Sequence, residues 1–564
     1  MHRLLFALLL ALPASPAIAD TLIHNANGIQ VGRDGKLQRF EAVLIGDDGK
    51  VVQTFTKVQN PHAPNAVRID ARGRTLLPGL IDAHGHVIDA PGGDMGLGLL
   101  MLRLDLSGTD SIADLQARLA EYARSNPGSG WIVGRGWNQE LWQDKRYPTA
   151  ADLDAVVADR PVLLARVDGH ASVANSAALK AANITAATRD PADGRLERDS
   201  SGRPTGFLIE NAIQLVSDRI PPPTSETMAR ALQTAQEALL SNGITAVADM
   251  GSSPASWAAM NDLAASGELN VRIISYADGL IAEQAAFAQA PTQWLYGDRL
   301  RLVGYKLYAD GALGSRGAWL KAPYADMPSS TGVRYLSDAQ MLAQSDRAAS
   351  KGFQVAIHAI GDAANAQAIG TFEALSKRHG RDRRWRIEHV QVVDPADIPR
   401  IGRAGIIASM QPVHQTSDRT MAEARLDPPR LKGAYAWNSI ARSGARLAFG
   451  SDLPVESPNP FPGLAAAVSR QDPNGVPPGG WRPEERVSFE TALAGFTRNA
   501  AYAGFAEDRI GSLEHGKWAD FILVDRDVSA VGPQSLAATQ VLETWVAGKK
   551  IWQRPATVAT ERGK

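Results

Sequence analysis

Eight short apolar runs, most of them separated by helix-like stretches, constrain this chain more than any other feature of it. The first begins at Leu76 and the second and third are Ile244–Met250 and Leu269–Ala277. The fourth begins at Arg301, and the fifth and sixth end at His358 and His389. The seventh is Ile406–Pro412, and the eighth runs from Arg446 into Asp452. Helix-like segments such as Ser225–Ser241, Ser337–Lys351 and Ala363–His379 lie between them. Strands alternating with helices predict a parallel sheet, and eight such units predict an α/β fold of the (β/α)8 TIM-barrel type.

Five of the eight runs close on a residue able to serve a metal. His84 and His86 stand two apart at the end of the first; on a strand such positions share a face, so both imidazoles can reach one ion. Lys306, His358, His389 and Asp452 follow on runs four, five, six and eight. Barrels of this kind keep their active sites at the C-terminal strand ends. A lone H-x-H carries little weight, and a lysine in an apolar strand is ordinarily ion-paired, here with Asp310 as the candidate. The order of the six residues is what points to a site.

These residues are accompanied by V-D-G-H-A-S-V-A-N-S-A-A-L (Val167–Leu179), Y-A-D-G-A-L-G-S-R-G-A (Tyr308–Ala318), M-Q-P-V-H (Met410–His414) and G-S-L-E-H-G-K-W-A-D-F-I-L-V-D (Gly511–Asp525). Together they resemble the amidohydrolase superfamily of metallo-dependent hydrolases, and within it the amidohydrolase-3 branch of YtcJ-like proteins and N-substituted formamide deformylases. The likeness covers nearly the whole mature chain and is specific for the chemistry rather than for the substrate. It implies a metal site of His84, His86, Lys306, His358, His389 and Asp452. His84, His86 and Asp452 would hold one ion and His358 and His389 another, both expected to be zinc, bridged by Lys306 as N6-carboxylysine. Neutral imidazoles suit zinc, and a desolvated lysine loses its proton readily and can then take up carbon dioxide.

The resemblance further implies Asp452 as the catalytic proton carrier. The reaction expected is hydrolysis of a non-peptide amide C–N bond in a small molecule such as an N-substituted formamide or an N-acyl compound. His170, Asp310, Arg316 and His414, all on loops, are the candidate substrate contacts, Arg316 for a carboxylate. Two other readings stay open. A mononuclear deaminase of the same superfamily would carry a glutamate three residues after the strand-five histidine, where this chain has Gly361. A periplasmic binding protein that kept the barrel without catalysis would lack the full ligand set.

Composition agrees with a large enzyme: 564 residues, 44% hydrophobic and 21% charged, suffice for more than one core. A formal net charge of -1 and the lack of a basic run argue against a nucleic-acid partner, while a homo-oligomer stays compatible. Met1–Arg3, the apolar Leu4–Leu12 and Ala17-Ile18-Ala19 read as a signal peptide at 1–19, cleaved before Asp20. With no cysteine, the mature protein is expected in the periplasm or secreted, without disulfides or a membrane anchor.

Short alternating strands at 20–75 and 507–564 are expected to combine into one β-sandwich, with the barrel at 76–92 and 237–506 and an insertion domain at 93–236. Trp137 and Trp142 of the insertion read as core or lid. Trp319 and Trp437 hint at an apolar or aromatic amide. Glu388 should face away from the metal, Asp362 should cap the helix after strand five, and His24, His62, His379 and His515 should be solvated.

Overall fold

A computed structural model describes residues 20–556 except 58, 60, 90–95, 168, 280–285 and 381. The signal peptide read at 1–19 lies outside the described residues. Eight strands form one sheet in chain order: β1 (Leu80–Gly85), β2 (Ile244–Ser252), β3 (Arg272–Asp278), β4 (Leu300–Tyr308), β5 (Gln354–Ala359), β6 (Arg386–His389), β7 (Ile407–Met410) and β8 (Arg446–Phe449). Every neighbouring pair is parallel. Just beyond β8, Asp452 N donates to His84 O at 2.7 Å and His86 N to Leu453 O at 2.8 Å, so the sheet nearly closes on itself.

The strands read as continuous apolar runs because a parallel barrel strand is covered on both faces; every residue of β2 is buried. Ile81, Ala246, Tyr276, Ala356, Ile407 and Ala448 form one core cluster with Ala500 and Ala501 of the helix Arg498–Ala503. A cluster fed by six strands around the sheet can only lie inside it.

The sandwich draws on both ends of the described chain. Strand Thr75–Pro78 pairs with Asn27–Val31 on one side and Phe521–Val524 on the other, within a six-stranded sheet. A four-stranded sheet that includes Thr21–His24 and Ala42–Ile45 shares its core through Ile23, Val43, Leu76, Phe521 and Trp545. Leu76–Pro78, read as the opening of the first barrel strand, therefore belong to the sandwich. Gly79 makes the crossing, since a Cβ there would meet Thr245 Oγ1 at 2.2 Å. Buried Arg272 of β3 holds Asp520 at 2.7 and 2.9 Å and ties barrel to sandwich.

Residues 97–235 form a second compact unit around their own six-stranded sheet. Its core contains Trp137 and Trp142, rings 6.0 Å apart, each indole N–H donating to a backbone carbonyl, of Leu164 and Thr109 respectively. Among the described residues no helix is long and apolar enough to cross a membrane.

Candidate metal centre

Asp452 is the hub of the barrel mouth. Its Oδ1 lies 3.3 Å from both His84 Nε2 and His86 Nε2, and its Oδ2 lies 3.9 Å from His389 Nδ1 and from His414 Nε2. His84 Nε2 is also 3.2 Å from Lys306 Nζ, and the His358 ring is 4.5 Å from that of His389. The C-terminal ends of β1, β4, β5, β6 and β8 thus bring His84, His86, Lys306, His358, His389 and Asp452 together. His414, in the first turn of the helix Pro412–Arg425, joins them. His84, His389 and Asp452 each offer a ligand atom, all within 4.8 Å of one another.

The backbone is distorted where these side chains converge. His389, Val390 and Asp452 have φ of +72°, +47° and +59°, a region that side chains, and a β-branched one above all, enter at a cost. Such strain persists only where surroundings impose it. One source is buried Asp82 on β1, which accepts from His84 N, Ser451 N and Ser451 Oγ and so clamps the ends of β1 and β8 to each other. Burial pushes the Asp82 carboxyl up to about 6.

Burial also sets the electrostatics of the cluster. It drives His358 down to about 3, lowers His84, and holds His389 well below the ordinary imidazole value, so all three rings are neutral near neutral pH. Burial lowers Lys306 to about 8. For Asp452, burial alone would raise the carboxyl, but its imidazole neighbours, His84 first and then His86 and His389, outweigh it and hold it well below the carboxylate range. His86 Nδ1, His358 Nε2 and His414 Nε2 are buried and make no hydrogen bond. Neutral imidazoles with idle ring nitrogens, grouped about one carboxylate, fit a zinc-like divalent ion.

The remaining residues read from the sequence stand as follows. Asp310 does not pair with Lys306: it is 1% exposed, accepts from the backbone N–H groups of Ile360, Gly361 and Trp319 at 2.8–3.0 Å, and its Oδ1 lies 3.5 Å from His358 Nε2. Burial pushes its carboxyl up to about 7. Arg316 is engaged by Asp326 through two hydrogen bonds, at 2.7 and 3.2 Å, rather than held ready for a substrate carboxylate. His170, in the second unit, is exposed with its Nδ1 3.1 Å from Glu210 Oε1. Asp362 opens the helix Asp362–His379 without capping it; Gly361 is the cap, and the Asp362 carboxylate accepts from Lys321 N at 2.8 Å.

Glu388 does not face away. Its Oε2 lies 2.7 Å from His84 Nδ1, while Arg386 grips both its oxygens. Alternation along β6 fails at its end because residue 389 is left-handed, which turns His389 to the same interior as Glu388. Arg386 and Glu388, two apart on β6 and so on one face of it, are the signal for an inward ion pair. Trp437 is fully buried under Arg470, and Trp319 has the Arg334 guanidinium 4.6 Å over its ring, so neither supports an aromatic substrate. His379 is likewise not solvated but bonded to Asp346 at 2.7 Å.

Comparison with known proteins agrees with this geometry. The sequence profile of the Amidohydrolase family matches residues 68–551. The putative amidohydrolase YtcJ of Bacillus subtilis (strain 168) is 31% identical over 92% of this chain and 96% of its own. An N-substituted formamide deformylase of Arthrobacter pascens is 27% identical over 95% and 98% of the two chains. The crystal structure of an uncharacterized metal-dependent hydrolase from Pyrococcus furiosus superposes with a TM-score of 0.75 at 29% identity, covering 92% of this chain and 100% of that one.

Proposed function

The chain belongs to the amidohydrolase family, and from that premise we propose that it hydrolyses a non-peptide amide C–N bond, in an N-substituted formamide or an N-acyl compound, at a centre of two divalent metals. The observation that carries this reading is the ring of imidazoles around Asp452 with Lys306 at its edge. The likeness to the formamide deformylase supports the substrate class.

In this reading His84, His86 and Asp452 would hold one ion and His358 and His389 the other, with Lys306, as a carbamate, available to both. Ions held there supply Lewis acidity toward the amide carbonyl and lower the pKa of a water. Two facts favour the carbamate. With its pKa near 8, Lys306 offers a usable fraction of neutral amine to carbon dioxide. An ammonium 3.2 Å from the ring nitrogen of His84 would instead repel a cation bound there. Asp452 then accepts a proton from the attacking water and gives it to the nitrogen as the C–N bond breaks, so the amine leaves neutral and the acyl carbon keeps the water oxygen. His414, whose Nε2 lies 3.9 Å from Asp452 Oδ2, would donate to a substrate oxygen.

The test is a hydrolysis screen of N-formyl amines, N-acyl amino acids and cyclic amides with zinc-loaded protein, reading amine release. Release that stops on chelation and returns with zinc is the expected result. A loaded protein that releases amine from no member of the panel contradicts the assignment.

A further inference from the structure

Resting on the metal centre described above, we propose that Glu388 is a positioning residue: clamped by Arg386, it fixes the His84 ring and sets how tightly that ring holds its ion. His84, Arg386 and Glu388 are all fully buried. Arg386 donates to Glu388 Oε1 from Nε at 2.8 Å and to Oε2 from Nη2 at 3.0 Å. The guanidinium is itself held by Ala83 O at 2.7 Å, Ser409 Oγ at 3.0 Å and Tyr276 Oη at 2.9 Å. Strands β1, β3, β6 and β7 therefore immobilise one carboxylate behind one imidazole.

The geometry fixes the tautomer. A carboxylate bound twice by a guanidinium can only accept, so the hydrogen between it and His84 sits on Nδ1. That leaves the Nε2 lone pair facing Asp452 and Lys306. A carboxylate in this place strengthens the ring as a donor and fixes its angle, and loss of such a partner ordinarily weakens metal binding ten- to a hundred-fold, as an order of magnitude. Stability does not account for the arrangement, because a buried ion pair is commonly matched or bettered by apolar residues of similar size. The shortest contact of the carboxylate is to His84, not to Arg386.

The experiment titrates zinc-loaded wild type, Glu388→Gln and the double variant Arg386→Met/Glu388→Met with a chelator, counts the zinc retained, and melts the metal-free proteins in parallel. Both variants are expected to release one equivalent of zinc at roughly ten- to a hundred-fold lower chelator concentration. The metal-free double variant is expected to melt cooperatively, so that its loss of zinc reads positioning rather than unfolding. If Glu388→Gln does not fold, the double variant decides alone. A folded double variant that holds zinc as tightly as wild type overturns the proposal and leaves Glu388 a partner of Arg386 only. Wild type that holds no zinc overturns the reading of the centre itself.

Discussion

Asp452 lies within 3.9 Å of four imidazoles and is held ionised among them, so as asparagine it would keep its place and lose the capacity to accept a proton. Asp452→Asn is expected to cut kcat by on the order of 10²–10⁴ while metal content stays near wild type, both measured on one preparation. Near-normal turnover would remove Asp452 from proton transfer. Lys306 contributes only its far end to the site in this account. Lys306→Ala should therefore carry one metal fewer and lose activity, and a short carboxylic acid in solution should restore part of both by filling the vacated bridge. A variant that keeps two metals and full activity would leave a single-metal mechanism around His84, His86 and Asp452.

The loop after β4 depends on a carboxylate that serves structure. Asp310 gathers the N–H groups of Ile360, Gly361 and Trp319, and the backbone of Tyr335 returns to Ala309 O at 3.0 Å. Asp310→Ala is expected to cost about 3 kcal/mol in denaturant unfolding and to open the segment 310–335 to proteases, with zinc content unchanged. Loss of zinc in the folded variant would place Asp310 in the centre after all. At this scale the sequence was readable wherever a strand governs the side chain. Apolar runs located all eight strands, and period two aimed His84 and His86 at one point. The reading failed where the backbone leaves that period, at Glu388 before a left-handed His389, and where a loop residue finds a distant partner, as Arg316 finds Asp326. No local pattern encodes such a partner. Nor did it separate Leu76–Pro78 from β1, since both stretches are equally apolar and only the pairing with Phe521–Val524 tells them apart.

That pairing makes the ends of the chain interdependent, because β1, which bears His84, begins two residues after a strand whose neighbours come from Asn27–Val31 and Phe521–Val524. Ending the chain at Phe505 would strip Thr75–Pro78 of one partner and Arg272 of Asp520, and the product is expected to be insoluble or to melt without cooperativity. A soluble, zinc-binding product would show that the barrel folds without the sandwich. The central claim, that the barrel mouth is a two-metal hydrolytic centre bridged by Lys306, is tested most directly by titrating metal-free protein with zinc in bicarbonate buffer while following bound metal and amine release from an N-formyl amine together. The account predicts that activity rises with zinc and levels off at two ions per chain, and that Lys306→Ala levels off at one without activity. Full turnover in the metal-free protein, or saturation at one ion with full activity, would contradict it.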